Sequence, residues 1–247
     1  MRYSQLQLSL ELDISAKHIS FMETGRSTPS REMIVRIGEF LGLPKREINR
    51  ALYSAGYSPV YTELSIDDER LKPVINAIEQ MIDNHMPYPA IVMNQKWDVV
   101  KVNESAKSLM SELGFSGHKN LIEFLVQDSP EESRISNWNV AVQAVLVRLR
   151  DEISRAGEAG GLEDLERRLN SCLSEDSEPG LGNDNQPFLP IVFRVYDREL
   201  SFFSVISQLS TIQDITVSEF KVELMFPSDE ITKAFYNSET TRQLVSP

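Results

Sequence analysis

Apolar residues in this chain change their spacing at one point, and that change divides it. Up to Pro87 they recur every three or four positions, as in Met33, Ile34, Ile37 and Phe40, then Leu71, Val74, Ile75, Ile78, Met81 and Ile82. That spacing lines one face of a helix. Beyond it, "PAIVMNQKWDVVKVN" reads as two β-branched segments about a short turn near Asn94–Lys96, the pattern of a hairpin. Late in the chain "LPIVFRVY" and "LSFFSVISQLS" flank "DRE". "FKVELMF" then alternates, with Phe220, Val222, Leu224 and Phe226 on one face and Lys221, Glu223 and Met225 on the other. Between the strands, Asn103 opens a helix with Ala106, Leu109, Met110 and Leu113 on one side, and Trp138 to Ile153 carries a long helical stripe. A polar helix around "LEDLERRLNSCL" and a solvated loop, "SEDSEPGLGNDNQP", follow. Two early strands, three late ones and helices between predict an α+β domain, one antiparallel sheet covered on one side by helices.

The N-terminal quarter reads as short helices with their own punctuation. Ser4 caps a helix reaching Leu12, Asp13-Ile14 turns the chain, and Ser15 caps the next, which ends at Gly25. Ser30 caps a third, stopped by Gly42 and Pro44, and "KREINRALYSAG" is a fourth. Two short helices joined by "LDIS" have helix-turn-helix spacing. In that geometry Ile19 and Met22 face inward. Ser15, Ala16, Lys17, His18, Ser20, Phe21 and Arg26 then form the face offered to a major groove, with Gln5 near a phosphate.

Charge supports that placement. The net charge of −12 disfavours a polyanion overall, but residues 1–60 hold eight basic and six acidic side chains, +2. The remaining 17 basic and 31 acidic residues give −14. The single cysteine, Cys172, excludes an internal disulfide, and no apolar run is long enough to span a membrane; a cytoplasmic protein is expected. His18, His85 and His118 lie far apart and outside any metal-ligand spacing. No phosphate loop, nucleophile elbow or cofactor motif is present, so neither catalysis nor a metal is expected.

The residues also carry a family likeness. "SQLQLSLELDISAKHISFMETGRSTPSREM" resembles the phage-repressor type of helix-turn-helix of XRE-family bacterial regulators. "AGYSPVY", "PYPAIVMNQKWDVVKVN", "ISNWNVAVQAVLVRLRDEI" and "LSFFSVISQLSTIQDITVSEFKVELMFPSDE" resemble the MmyB-like subfamily, in which a PAS-like ligand-binding domain follows. The likeness implies a DNA-binding domain over 1–57, a linker over 58–68 and a ligand-binding domain over 69–247. It further implies a double-stranded DNA operator, a homodimer and a small apolar ligand, with a fatty acid the leading candidate. Core aromatics of such a domain double as pocket wall, which nominates Trp97, Trp138, Phe193 and Phe202. Arg148, on a mostly apolar helix, either pairs with Glu152 one turn on or offers a ligand carboxylate its planar fork. Asn137 is a helix cap that can also reach the pocket rim. Repressor-type domains open with a further helix before the Ser-Gln step. The expectation is therefore an upstream helix that covers Leu6, Leu10, Ile14, Ile19 and Met22 and pairs an Arg with Glu23. A rival reading is a ligand carrier or interaction protein whose helix-turn-helix no longer binds DNA.

Overall fold

The structure is a computed structural model describing residues 3–115, 117–127, 132–156, 161–173, 187–209 and 212–245. Most of the expected solvated loop, residues 174–186, lies outside the described residues. Four helices come first: α1 (Gln5–Glu11), α2 (Ala16–Glu23), α3 (Arg31–Phe40) and α4 (Lys45–Ser54). Ser4, Ser15 and Ser30 each accept the backbone N–H three residues on, and Gln7 completes a capping box with Ser4. Asp13 and Gly25 take positive φ, at 48° and 71°, where the chain turns. Leu12 and Ile19 are buried between the helices, whereas Leu6 and Leu10 are 62% and 73% exposed. Glu23 is exposed and accepts from the Gln5 amide. Helices α3 and α4 meet at Gly38, where an added Cβ would lie 2.6 Å from a side-chain carbon of Ile48. Ile48 is itself buried, so only glycine lets the helices approach this closely.

The second part is a five-stranded antiparallel sheet: β1 (Ala90–Met93), β2 (Val99–Val102), β3 (Ile191–Val195), β4 (Arg198–Gln208) and β5 (Lys221–Pro227) in the order β2-β1-β5-β4-β3. This is the helical domain followed by an antiparallel α+β domain that the chain's patterning predicts, in the PAS-like form that the family resemblance implies. Helices cover both faces of the sheet, not one. On one side α5 (Lys72–Asp83) packs Ile78 and Ile82 against Ala90, Val92 and Val222. On the other lie α6 (Glu104–Leu113), α7 (Leu121–Gln127), α8 (Trp138–Ala156) and α9 (Glu163–Ser171), around the larger core. A short α10 (Ile215–Ser218) and α11 (Glu230–Val245) bracket β5. Asn103 ties three elements: its Oδ1 accepts from Ala90 N and Ala106 N, and its Nδ2 donates to Ile82 O and Tyr88 O. All four of its hydrogen-bonding positions are thereby used.

The stretch read as a linker is bound at both ends. Asn49 of α4 accepts from Val60 N and Tyr61 N and donates to Tyr61 O. Tyr61 is buried with Ile48, Leu52 and Ile215, and its hydroxyl donates to Glu39. Asp214 accepts from Thr62 Oγ1 and Leu64 N. Arg46 of α4 makes a bidentate pair with Glu219 at 2.9 and 3.0 Å and reaches Glu63 at 2.7 Å. The helical domain is thus held to the residues just before β5.

Candidate ligand cavity and DNA-binding face

Strand β5 occupies the middle of the sheet, so both its faces are buried. Met225 turns toward α8, and so do Lys221 and Glu223. They meet two charges on α8, Arg148 and Glu152, one turn apart. Lys221 Nζ donates to both Glu152 oxygens at 3.0 and 2.9 Å, and its side chain is 4% exposed. Burial pushes the Lys221 ammonium below the ordinary lysine range, and Glu152 opposes that shift. Arg148 Nη1 lies 3.5 Å from Glu223 Oε2. The pairing differs from the expected Arg148–Glu152 contact because Glu152 is taken by Lys221 and by the indole N–H of Trp97, at 3.0 Å.

Trp97 holds this cluster together. Asn94 Oδ1 accepts from Lys96 N and Asp98 N, which closes the β1–β2 turn. Trp97 sits in it at φ 68°, a conformation uncommon outside glycine, and its ring is buried. The ring carries Lys221 Nζ at 4.4 Å and the Arg148 guanidinium at 4.6 Å from its centroid.

A cavity of about 110 Å³ lies beside the cluster. Its walls are apolar, with Leu113, Phe124, Ala141, Val145 and Met225 among them, and Arg148 and Glu223 supply the charge. Arg148 Nη2 is buried without a hydrogen-bond partner among the described residues. Three of the six nominated ligand residues, Trp97, Arg148 and Phe193, line this cavity. The other three do not. Asn137 neither caps α8 with its side chain nor reaches the cavity: Nδ2 donates to Pro190 O and Oδ1 accepts from Val192 N, stapling β3 to the helix start. Trp138 and Phe202 are core residues outside the cavity lining, Phe202 packing against Phe193 and Tyr236. A second cavity, of about 210 Å³, is lined by Gly42 and Pro44 of the α3–α4 turn together with Glu152, Glu219 and Lys221. The charged cluster therefore faces the apolar cavity with one half and the helical domain with the other.

In the helical domain, Lys17 of α2 and Arg26 just beyond it lie over the ring of Phe21, 5.4 and 6.0 Å from its centroid. Lys17 and Arg26 are exposed, and Ala16, His18, Ser20 and Phe21 are half-buried. The Ser15 hydroxyl caps the helix, and the Gln5 amide is engaged by Glu23.

A helix-turn-helix model matches residues 1–48, and a model described as the MmyB-like transcription regulator ligand binding domain matches residues 74–237. The chain belongs to the MmyB-like transcription regulators. No curated protein matches it. In this MmyB-like regulator three residues of the charged cluster, Glu152, Lys221 and Glu223, escape a reading of the sequence for ligand contacts. Glu152 enters a reading of the sequence only as a partner for Arg148, and the alternation of β5 is also that of a half-exposed strand, so residue types alone do not set Lys221 and Glu223 inside. Among the described residues no helix is long and apolar enough to cross a membrane.

Proposed function

We propose that this regulator binds DNA through α2 and that its affinity for DNA is set by a small apolar molecule held in the cavity beside Arg148, a fatty acid being the leading candidate. The observation that carries the reading is an apolar cavity lined at one end by Arg148, whose guanidinium Nη2 is buried without a hydrogen-bond partner among the described residues. Such a donor suits a headgroup oxygen, while the walls suit a hydrocarbon. The cavity is smaller than the roughly 300–1,000 Å³ of most ligand clefts. A long acyl chain therefore enters by displacing side chains such as Leu121, Phe124 and Leu125 on the short helix α7.

Strand β5 gives the ligand a route to the DNA-binding domain. Met225 and Glu223 line the cavity, Lys221 joins α8, and Glu219 grips Arg46 of α4. A ligand that favours one position of this strand favours one grip on the helical domain, which is the differential affinity that regulation requires. Lys17, Ser20, Phe21 and Arg26 read the groove, and two copies act together on a two-fold operator in the cytoplasm. The protein acts by binding, not catalysis. Native mass spectrometry of the purified protein tests the reading. A retained apolar molecule, released by solvent extraction, is the expected result; an empty protein that also fails to take up octanoic acid, tetradecanoic acid and the matching primary alcohols overturns it.

A further inference from the structure

The cavity's polar end holds more than an anchor for an acid. Arg148 is met there by Glu223, and behind them Lys221 is met by Glu152. Two cations and two carboxylates leave the cluster with no net charge. The other groups that face Glu223 are uncharged: Ile91 of β1 and Ile206 of β4 are its register partners, and Trp97 stacks under both cations. The lining contributed by α6 and α7 (Leu109, Met110, Leu113, Leu121, Phe124 and Leu125) is apolar as well. An entering carboxylate would therefore bring an uncompensated negative charge into a buried, balanced cluster and compete with Glu223 for the same guanidinium. A neutral oxygen would accept from Arg148 Nη2, which has no partner among the described residues, and leave the balance intact.

We infer that Glu223 sets the headgroup specificity of this cavity, so that it takes an apolar molecule with an uncharged polar headgroup: an alcohol, ester or amide, or a carboxylic acid that enters together with one proton. This rests on the apolar-ligand reading and adds the charge state of the ligand to it. Carboxylic acids ionise in water near pH 4–5. Above that range an acid bound with its proton loses about tenfold in affinity for each unit of pH, and an alcohol loses nothing.

The experiment is isothermal titration calorimetry of the full chain with octanoic acid, tetradecanoic acid and the matching primary alcohols. It is run from pH 6 to 8.5 in buffers of different ionisation enthalpy. The wild-type protein should take up one proton per acid bound and none per alcohol. Glu223→Gln should bind the acids at least tenfold more tightly at pH 8 without proton uptake, and the alcohols within twofold of wild type. Acid affinity that is flat with pH, with no proton taken up by the wild-type protein, overturns the inference even if Glu223→Gln does not fold. If neither acids nor alcohols bind, the apolar-ligand reading falls and this inference falls with it.

Discussion

Replacing Glu152 by Ala should cost the ligand-binding domain a large part of its stability. The carboxylate accepts two hydrogen bonds from Lys221 Nζ and one from Trp97 Nε1. Its removal leaves a nearly fully buried ammonium without its hydrogen-bonded counter-charge, with Glu223 already facing Arg148. Breaking a buried pair in this way costs about 3–5 kcal/mol. Glu152 is 20% exposed, so water reaches the pair and the lower end of that range applies. The orphaned indole N–H adds about 1 kcal/mol. The total, about 4 kcal/mol, is a large share of the ~5–15 kcal/mol that holds a domain together. At roughly 2–4 °C per kcal/mol for a domain of this size, Tm should fall by about 8–16 °C. Urea denaturation followed by tryptophan fluorescence is the assay, since both tryptophans, Trp97 and Trp138, lie in the core of this domain. A control separates the pair from the space it fills: Glu152→Leu combined with Lys221→Met replaces both charges by apolar groups and should recover most of the loss. Glu152→Ala within about 0.5 kcal/mol of wild type would show that Lys221 does not point inward.

Three further predictions follow from single contacts. Lys17→Ala should leave the fold intact and weaken DNA binding, by about 1–3 kcal/mol for a base contact or with a lower salt slope for a phosphate contact; fluorescence anisotropy at several salt concentrations distinguishes these, and unchanged affinity removes Lys17 from the interface. Gly38→Ala should destabilise the helical domain by about 1–3 kcal/mol, because the new methyl must displace buried Ile48; an unchanged thermal transition by circular dichroism contradicts the close helix approach. The Tyr61 phenol is pushed up to about 12, first by burial and then by its hydrogen bond to Glu39. A raised value means that the neutral phenol stabilises the folded state fully below about pH 10, the ordinary tyrosine value, and that this contribution is lost as pH rises toward 12. Absorbance titration should show a late tyrosine that disappears in Tyr61→Phe, and the same titration curve in both proteins would count against the contact.

Features set by near neighbours in sequence were legible, and those set by distant pairing were not. Ser4, Ser15, Ser30 and Asn103 announce helix starts because a cap needs only the next three residues. The hairpin at 90–102 follows from a turn inside one short stretch. The position of β5 depends on which strands flank it, and that is decided by β1 and β4, up to 134 residues away in register. A half-exposed strand and a central strand bearing two paired charges show the same alternation, so Lys221 and Glu223 gave no sign of pointing inward. The link from Arg46 to Glu219, 173 residues apart, is of the same kind. Asn137 looked like a cap because the residue type is right, but its side chain found strand backbone instead. Trp97 and Phe193 were nominated as core aromatics and line the cavity, whereas Trp138 and Phe202, chosen by the same rule, pack elsewhere. Aromatic character places a residue inside but does not say beside which void.

The central claim is that occupancy of the Arg148 cavity changes affinity for DNA, and it is tested most directly by one comparison. Binding to the DNA upstream of the protein's own gene is measured by anisotropy with and without tetradecanoic acid, for the wild-type chain and for Ala141→Phe. Ala141 lines the cavity and is buried, so a phenyl ring there fills the space the ligand needs. The account predicts that the ligand shifts the wild-type Kd by about 5–150-fold, the usual range of coupling between two sites. It predicts no shift in Ala141→Phe, which still binds the DNA. An equal shift in both proteins, or none in a wild-type protein that demonstrably holds the ligand, would contradict it.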